Sequence, residues 1–239
     1  MKITFLTLAA FSLLFFNSCE NSMLCEKGEG EVLSKQLNLP PISGIQVSNS
    51  SNVQLTYSAD GQLVTVRGQE NIIDNLSLEV EDGIWNIDYD SCVRTNKEMV
   101  ISISLPLVEY VGISGSGNVE STNHFPNQKD FEIDINGSGD LNLDMDVTGA
   151  TIDIRGSGNV ELAGKANSAT YDIDGSGDVA AYGFETGKVK VDIDGSGSVE
   201  VKAVESLAVD IDGSGDVYYK GKPDLTVDIS GSGEVHNSN

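Results

Sequence analysis

The sequence predicts an all-β chain folded as a parallel β-helix, or β-solenoid, with rungs of about 18–22 residues closed by Gly-Ser-Gly turns. Three observations predict it. First, Gly-Ser-Gly occurs seven times, with its glycines at Gly115 and Gly117, Gly137 and Gly139, Gly156 and Gly158, Gly175 and Gly177, Gly195 and Gly197, Gly213 and Gly215, and Gly231 and Gly233. By subtraction the starts lie 22, 19, 19, 20, 18 and 18 residues apart. Second, apolar residues alternate with polar ones before each turn, which is the signature of a half-buried strand. Third, the residue two before each turn is always isoleucine: Ile113, Ile135, Ile154, Ile173, Ile193, Ile211 and Ile229.

Each rung reads as strand, Gly-Ser-Gly corner, strand and variable return. Four residues before the corner stand Val111, Ile133, Ile152, Tyr171, Val191, Val209 and Val227. After the corner a polar residue precedes an apolar one: Val119, Leu141, Val160, Val179, Val199, Val217 and Val235. The returns, such as 146–149, 164–167, 183–187 and 221–224, absorb the length differences. Hairpins in a meander could share this pattern, but like residues at like offsets favour stacked coils, in which they form interior columns. The period suits a two- or three-sided coil. Glycine reaches positive φ without strain, and stacked corners leave no room for a Cβ.

The N-terminal half carries a degenerate copy. Ile45 to Leu55 overlays Val111 to Val119, with Asn49 and Ser51 in place of the glycines. Further strands are expected at 63–67, 76–80, 84–89 and 100–105, with a hairpin turn at Asp82-Gly83 and a short helical turn over 72–76. Residues 36–110 thus form an irregular β part, continuous with a regular solenoid over 111–239. Residues 1–18 read as a signal peptide, with Lys2 before the apolar run Ile3 to Phe16. Cys19 follows Ser18 as in a lipobox and is the expected lipidation site. Polar, acidic residues 19–35 then serve as the lipidated cysteine and tether, placing the chain in the cell envelope, anchored by lipid to the outer membrane. In such an oxidising compartment Cys25 and Cys92 are free to pair, although their spacing alone does not establish a bond.

Net charge is −23, from 14 Lys+Arg against 37 Asp+Glu. This excludes nucleic acid as a partner, because phosphates need a basic surface. Acids also form columns. Three before the first corner stands Gly112, and three before the other six stand Asp134, Asp153, Asp172, Asp192, Asp210 and Asp228; Asp174, Asp194 and Asp212 stand one before theirs. Asp is a poor strand residue, so the columns need a reason. The favoured reading is a solvated face that keeps stacked strands soluble. The alternative is shared Ca²⁺ on the six-Asp column, the candidate metal ligands. No metal site is assigned, since a Gly-Asp calcium roll needs such a turn on both sides of each coil. Arg155 reads as charge relief. His124 and His236 lack a placed nucleophile or metal partner, Trp85, Tyr218 and Tyr219 read first as packing residues, and no catalytic residue is assigned.

The repeated Gly-Ser-Gly turns behind a lipoprotein signal, with the lead-in Ile42 to Val47, resemble the putative auto-transporter adhesin, head GIN domain family over roughly residues 42–235. The resemblance implies a pectate-lyase-like β-helix, adhesion to a glycan or a host or cell-surface ligand, and a homo-oligomer, with a trimer suggested by family analogy. The expected function is a non-enzymatic envelope module for adhesion or scaffolding, without cofactor. The competing reading is a carbohydrate-binding or carbohydrate-cleaving β-helix. The last rung, 225–235, is expected either to be capped by residues 236–239 or to expose an edge used for self-association.

Overall fold

A computed structural model of the chain describes residues 25–94 and 97–239. The signal peptide and Cys19 lie outside the described residues. The chain coils into stacked rungs whose strands form two parallel ladders, called the first and second sheets. The first sheet stacks Ile84–Ile87, Gly44–Val47, Tyr110–Ile113, Phe131–Ile135, residues 150–156, 168–175, 188–195 and 206–213, and Asp224–Gly231, all parallel. The second stacks Val100–Leu105, Asn52–Tyr57, Asn118–Ser121, residues 141–147, 160–166, 179–186 and 198–203, Asp216–Lys220 and Glu234–Asn237.

The expected columns form in register. Ile135, Ile154, Ile173, Ile193 and Ile211 pair one above another and are fully buried. Val119, Leu141, Val160, Val179, Val199 and Val217 face them from the second sheet and are likewise buried. Burying each such side chain contributes about 1.5–3 kcal/mol, repeated on every rung. Register shifts fall at Glu161/Ala163 and across 181–188, so the variable returns do absorb the length differences as bulges.

The two glycines of a corner do different work. From Gly156 onward the first has φ near +140°, a conformation costly for any residue with a Cβ. The second is set by space: a Cβ on Gly177 would lie 2.5 Å from the Gly158 carbonyl oxygen and 2.6 Å from Ile154 Cγ2. The crowding arises because the ladder continues through the corner. The N–H of Ser176 donates to the Gly156 carbonyl at 2.9 Å, and Ser157, Ser196, Ser214 and Ser232 repeat the bond. The serines contribute their backbone here, while their hydroxyls face solvent.

The N-terminal half departs from simple stacking. Ile45 and Val47 pair with Val111 and Ile113 on one side, as the overlay predicts, and with Trp85 and Ile87 on the other. The first coil therefore lies between the second and the third. The far end is closed by Leu63–Gln69, antiparallel to Val100–Leu105, and by Val32–Leu37, antiparallel to Leu63–Gln69. The helix Glu70–Ile73 adds buried Ile72 and Ile73. It starts two residues before the expected helical turn.

Two expectations change. Of the strand expected at 76–80, only Val80 joins the hairpin Val80–Glu81/Ile84–Trp85, around Asp82 and Gly83 at positive φ. The tether expected over 19–35 belongs to the fold from Cys25 onward. Cys25 is disulfide-bonded to Cys92, Glu26–Lys27 pairs with Val93–Arg94, and Val32–Leu37 is the capping strand. Glu26 accepts hydrogen bonds from the Asn71 and Asn75 amides, so its acid is structural.

Gly177→Ala is expected to cost about 1–3 kcal/mol by forcing overlap with backbone of the rung beneath. Tyr171→Phe is expected to act in the opposite sense. Tyr171 is fully buried in the first-sheet column and its hydroxyl meets no partner among the described residues. Removing that oxygen is expected to add about 1 kcal/mol. Urea-denaturation midpoints of the two variants test both signs.

Candidate functional site

The outward side chains of both sheets are the candidate surface, and the backbone ladder fixes their spacing. On the first sheet the six-Asp column forms in register: Asp134, Asp153, Asp172, Asp192, Asp210 and Asp228 are consecutive partners. Beside it Arg155, Asp174, Asp194 and Asp212 stack likewise. Arg155 donates to Asp153 and lies 3.5 Å from Asp134, bridging two rungs. Lys190 sits 3.6 Å from Asp192. Partial burial pushes the Asp153 carboxyl above its ordinary range. Arg155 opposes that shift, while Asp172, Asp134 and Glu132 add to it. Among the described residues no group of three or more His, Cys, Asp or Glu is arranged to hold a metal ion.

The second sheet uses its acids differently. The column after each corner runs Asn52, Asn118, Asp140, Asn159, Asp178, Ser198, Asp216 and Glu234. Here side-chain oxygens accept backbone N–H groups from the neighbouring rung: Asp140 N–H to Asn118 Oδ1 at 3.0 Å, Asn159 N–H to Asp140 Oδ1 at 3.1 Å, Ser198 N–H to Asp178 Oδ1 at 2.9 Å, and Glu234 N–H to Asp216 Oδ1 at 3.0 Å. A charged acceptor makes these stronger than neutral bonds. The sequence shows the column but not this role, whose one signal is that only short side chains with an acceptor occupy it before Glu234.

Between this column and the next lies a groove of about 770 Å³. Its second wall is Glu120, Asn142, Glu161, Ala180 and Glu200. Gln54 donates to Glu120 at 2.9 Å and Asn142 donates to Glu161 at 3.0 Å, which hold the headgroups in place. Ala180 has no headgroup and leaves a notch between Glu161 and Glu200. The wall offers amides and carboxylates at a regular rise, fit for hydrogen-bonding hydroxyl-rich or amine-bearing chains.

His124 is held by Asp144 at 2.8 Å from Nδ1 and Asp146 at 3.5 Å from Nε2. The bond to Asp144 pushes its pKa up, which favours the protonated ring over a free base. Trp85 is fully buried and donates to the Ser77 carbonyl, so it packs and does not form a sugar platform. Tyr218 stacks on His236, with ring centroids 4.8 Å apart, and Tyr219 packs half-buried against the core. Lys220 lies over the Tyr182 ring at 4.0 Å.

Stacked two-strand coils with a pinned N-terminal cap and ordered polar columns outside define a β-solenoid that presents surface. The chain belongs to the family described as putative auto-transporter adhesin, head GIN domain, which matches residues 42–223. Among solved structures it is similar to a putative adhesin from Bacteroides fragilis, with TM-score 0.82 and 22% identity, covering 88% of this chain and 99% of that one. It is also similar to a putative lipid binding protein from Parabacteroides distasonis, with TM-score 0.74, 23% identity and coverage of 89% and 99%. A putative adhesin from Parabacteroides merdae gives TM-score 0.70, 20% identity and coverage of 89% and 98%. At these identities the likeness is one of fold. No curated protein matches the chain. These descriptions are of adhesins and a lipid-binding protein and not of enzymes, and the family name points to a surface or envelope location. No described helix is long and apolar enough to cross a membrane.

Arg155→Gln is expected to lower stability at neutral pH by less than about 1 kcal/mol, since both partners are partly exposed. The deficit is expected to shrink in acid. The folded Asp153 carboxyl has a raised pKa, so the native state takes up its proton first. Stability tied to that carboxyl therefore rises as pH falls through the raised value toward 3.8. Unfolding midpoints of both proteins across this range give the comparison.

Proposed function

We propose that this chain is a non-enzymatic envelope module for adhesion or scaffolding, tethered through lipid on Cys19 and binding glycan chains along the outer face of its second sheet. The observation that supports the reading most directly is the groove between the Asn118–Asp140–Asn159–Asp178–Ser198 column and the Glu120–Glu200 wall. Its acceptors and amides recur at each rung, which matches a polymer better than a compact substrate. Carbohydrate hydroxyls need such fixed, paired donors and acceptors, and preorganisation lowers the entropy cost of binding.

Repetition also favours adhesion over catalysis. A catalytic site needs unlike groups converging on one reacting atom. Here like groups repeat along a line, and the best-placed imidazole, His124, is paired with two carboxylates. The lipid anchor would fix the N-terminal cap near the membrane and project the regular rungs outward. Nucleic acid is no partner for a surface of this charge.

Binding to a panel of immobilised glycans tests the reading. Wild-type protein is expected to retain at least one glycan class, and Ala180→Arg, which fills the exposed notch, is expected to weaken it at least tenfold, about 1.4 kcal/mol. Thermal stability should be unchanged, because residue 180 faces solvent. Retention that ignores Ala180→Arg, or no retention by wild type, would sink the groove as the adhesive site. Loss of membrane association in Cys19→Ser checks the anchor.

A further inference from the structure

The two ends of the solenoid are unlike. At one, the antiparallel strands Val32–Leu37 and Leu63–Gln69, the helix Glu70–Ile73 and the Val80–Ile87 hairpin close the interior. At the other, Asp224–Gly231 is the outermost strand of the first sheet, and all of its residues are exposed. Leu225, Val227 and Ile229 continue the interior columns, yet are 43%, 40% and 38% exposed, whereas Leu207, Val209 and Ile211 beneath them are at most 4% exposed. Residues 236–239 do not cover this strand. His236 and Asn237 extend the second sheet, and the Asn239 amide brackets Gly221, accepting from its N–H at 2.8 Å and donating to its carbonyl at 2.7 Å.

Exposed edges of this kind are ordinarily guarded by inward charges, proline or bulges. Within Asp224–Gly231 the inward positions are Leu, Val and Ile, no proline occurs, and the pairing with residues 206–213 is unbroken. An unguarded edge with half-exposed core residues is built to be paired.

We infer that two copies of the chain join tail to tail, each pairing its Asp224–Gly231 strand antiparallel with that of the other, centred on Val227. The occupant follows from complementarity. With Val227 opposite Val227, Leu225 faces Ile229, Thr226 faces Asp228 and Asp224 faces Ser230, each pair twice by symmetry. Apolar meets apolar on the inner side, and no carboxylate meets another on the outer side. A register two residues either way sets Asp228 against Asp228, or Asp224 against Asp228, and like charges directly opposite are unfavourable. The closed N-terminal end blocks head-to-tail growth, so association stops at two, as an isologous interface does. The result is a bivalent particle with a cap and anchor at each far end.

Sedimentation of residues 20–239, which contain every described strand, tests this from micromolar to millimolar concentration at physiological salt. A reversible monomer–dimer equilibrium is expected. Thr226→Lys sets lysine against Asp228 twice and is expected to tighten the dimer about fivefold, while Thr226→Asp is expected to weaken it about fivefold. Residue 226 is exposed, so neither change should shift the monomer's unfolding. Val227→Cys is expected to give a covalent dimer on oxidation, since Cys25 and Cys92 are already bonded. A monomer at the highest concentration, an open polymer, or a dimer indifferent to both Thr226 substitutions would each overturn the inference. None of these outcomes depends on the groove or its ligand.

Discussion

The structure depends on one constraint, the unbroken backbone ladder through the Gly-Ser-Gly corner. Here each corner serine from Ser138 onward donates its N–H to a glycine carbonyl one rung below. The corner is held at the strand spacing of about 4.8 Å, too close for a side chain between layers. Glycine is thus imposed by the rung beneath as much as by its own turn. The same constraint fixes the pitch of everything outside it, including the Asp column, the Asx column and the groove wall.

The two acidic columns show how one residue type serves opposite ends. On the second sheet, Asp140, Asp178 and Asp216 accept N–H bonds from the next rung and lengthen the ladder beyond the strands. On the first sheet, Asp153 has a raised pKa, and Arg155 spans two rungs to offset the repulsion. Repulsion along that face works against lateral aggregation of a sheet-rich chain. The charge that keeps faces apart is absent from the inward side of the last strand, where Leu225, Val227 and Ile229 stand open.

Much of this was legible in the residues. The isoleucine column, the Val119 to Val217 column and the corner glycines follow from period and offset alone, because stacked coils repeat their environment. Even the divergent copy at Ile45–Leu55 could be aligned, and its partners are the ones the overlay names. The capping strand Val32–Leu37 was hidden, since Ser34, Lys35 and Gln36 interrupt its apolar pattern on a half-exposed cap. The Cys25–Cys92 bond joins segments whose proximity no local pattern encodes. The Asx column was visible as acid but not as acceptor, because the difference lies in which backbone groups the corner leaves free. The notch in the groove wall comes from a single small residue, Ala180, which no motif marks.

The order of the coils also could not be read from the sequence, and it bears on how the chain assembles. Residues 44–57 are sandwiched between 84–105 and 110–121. A chain emerging from its N-terminus cannot bury its first coil by local contacts. That coil's far face is covered by the second coil, which follows the cap strand Leu63–Gln69 and the helix Glu70–Ile73 and is tied to the N-terminal segment by the Cys25–Cys92 bond. The near side of the first coil carries the third coil, and each later rung is laid on the one before it. Pairings of long sequence separation are thus gathered around the first coil, whereas each later rung closes on a neighbour 18–22 residues away, at a lower entropy cost of closure. The permuted coil thus concentrates the entropy cost of closing the fold in the N-terminal part, where the disulfide also lies.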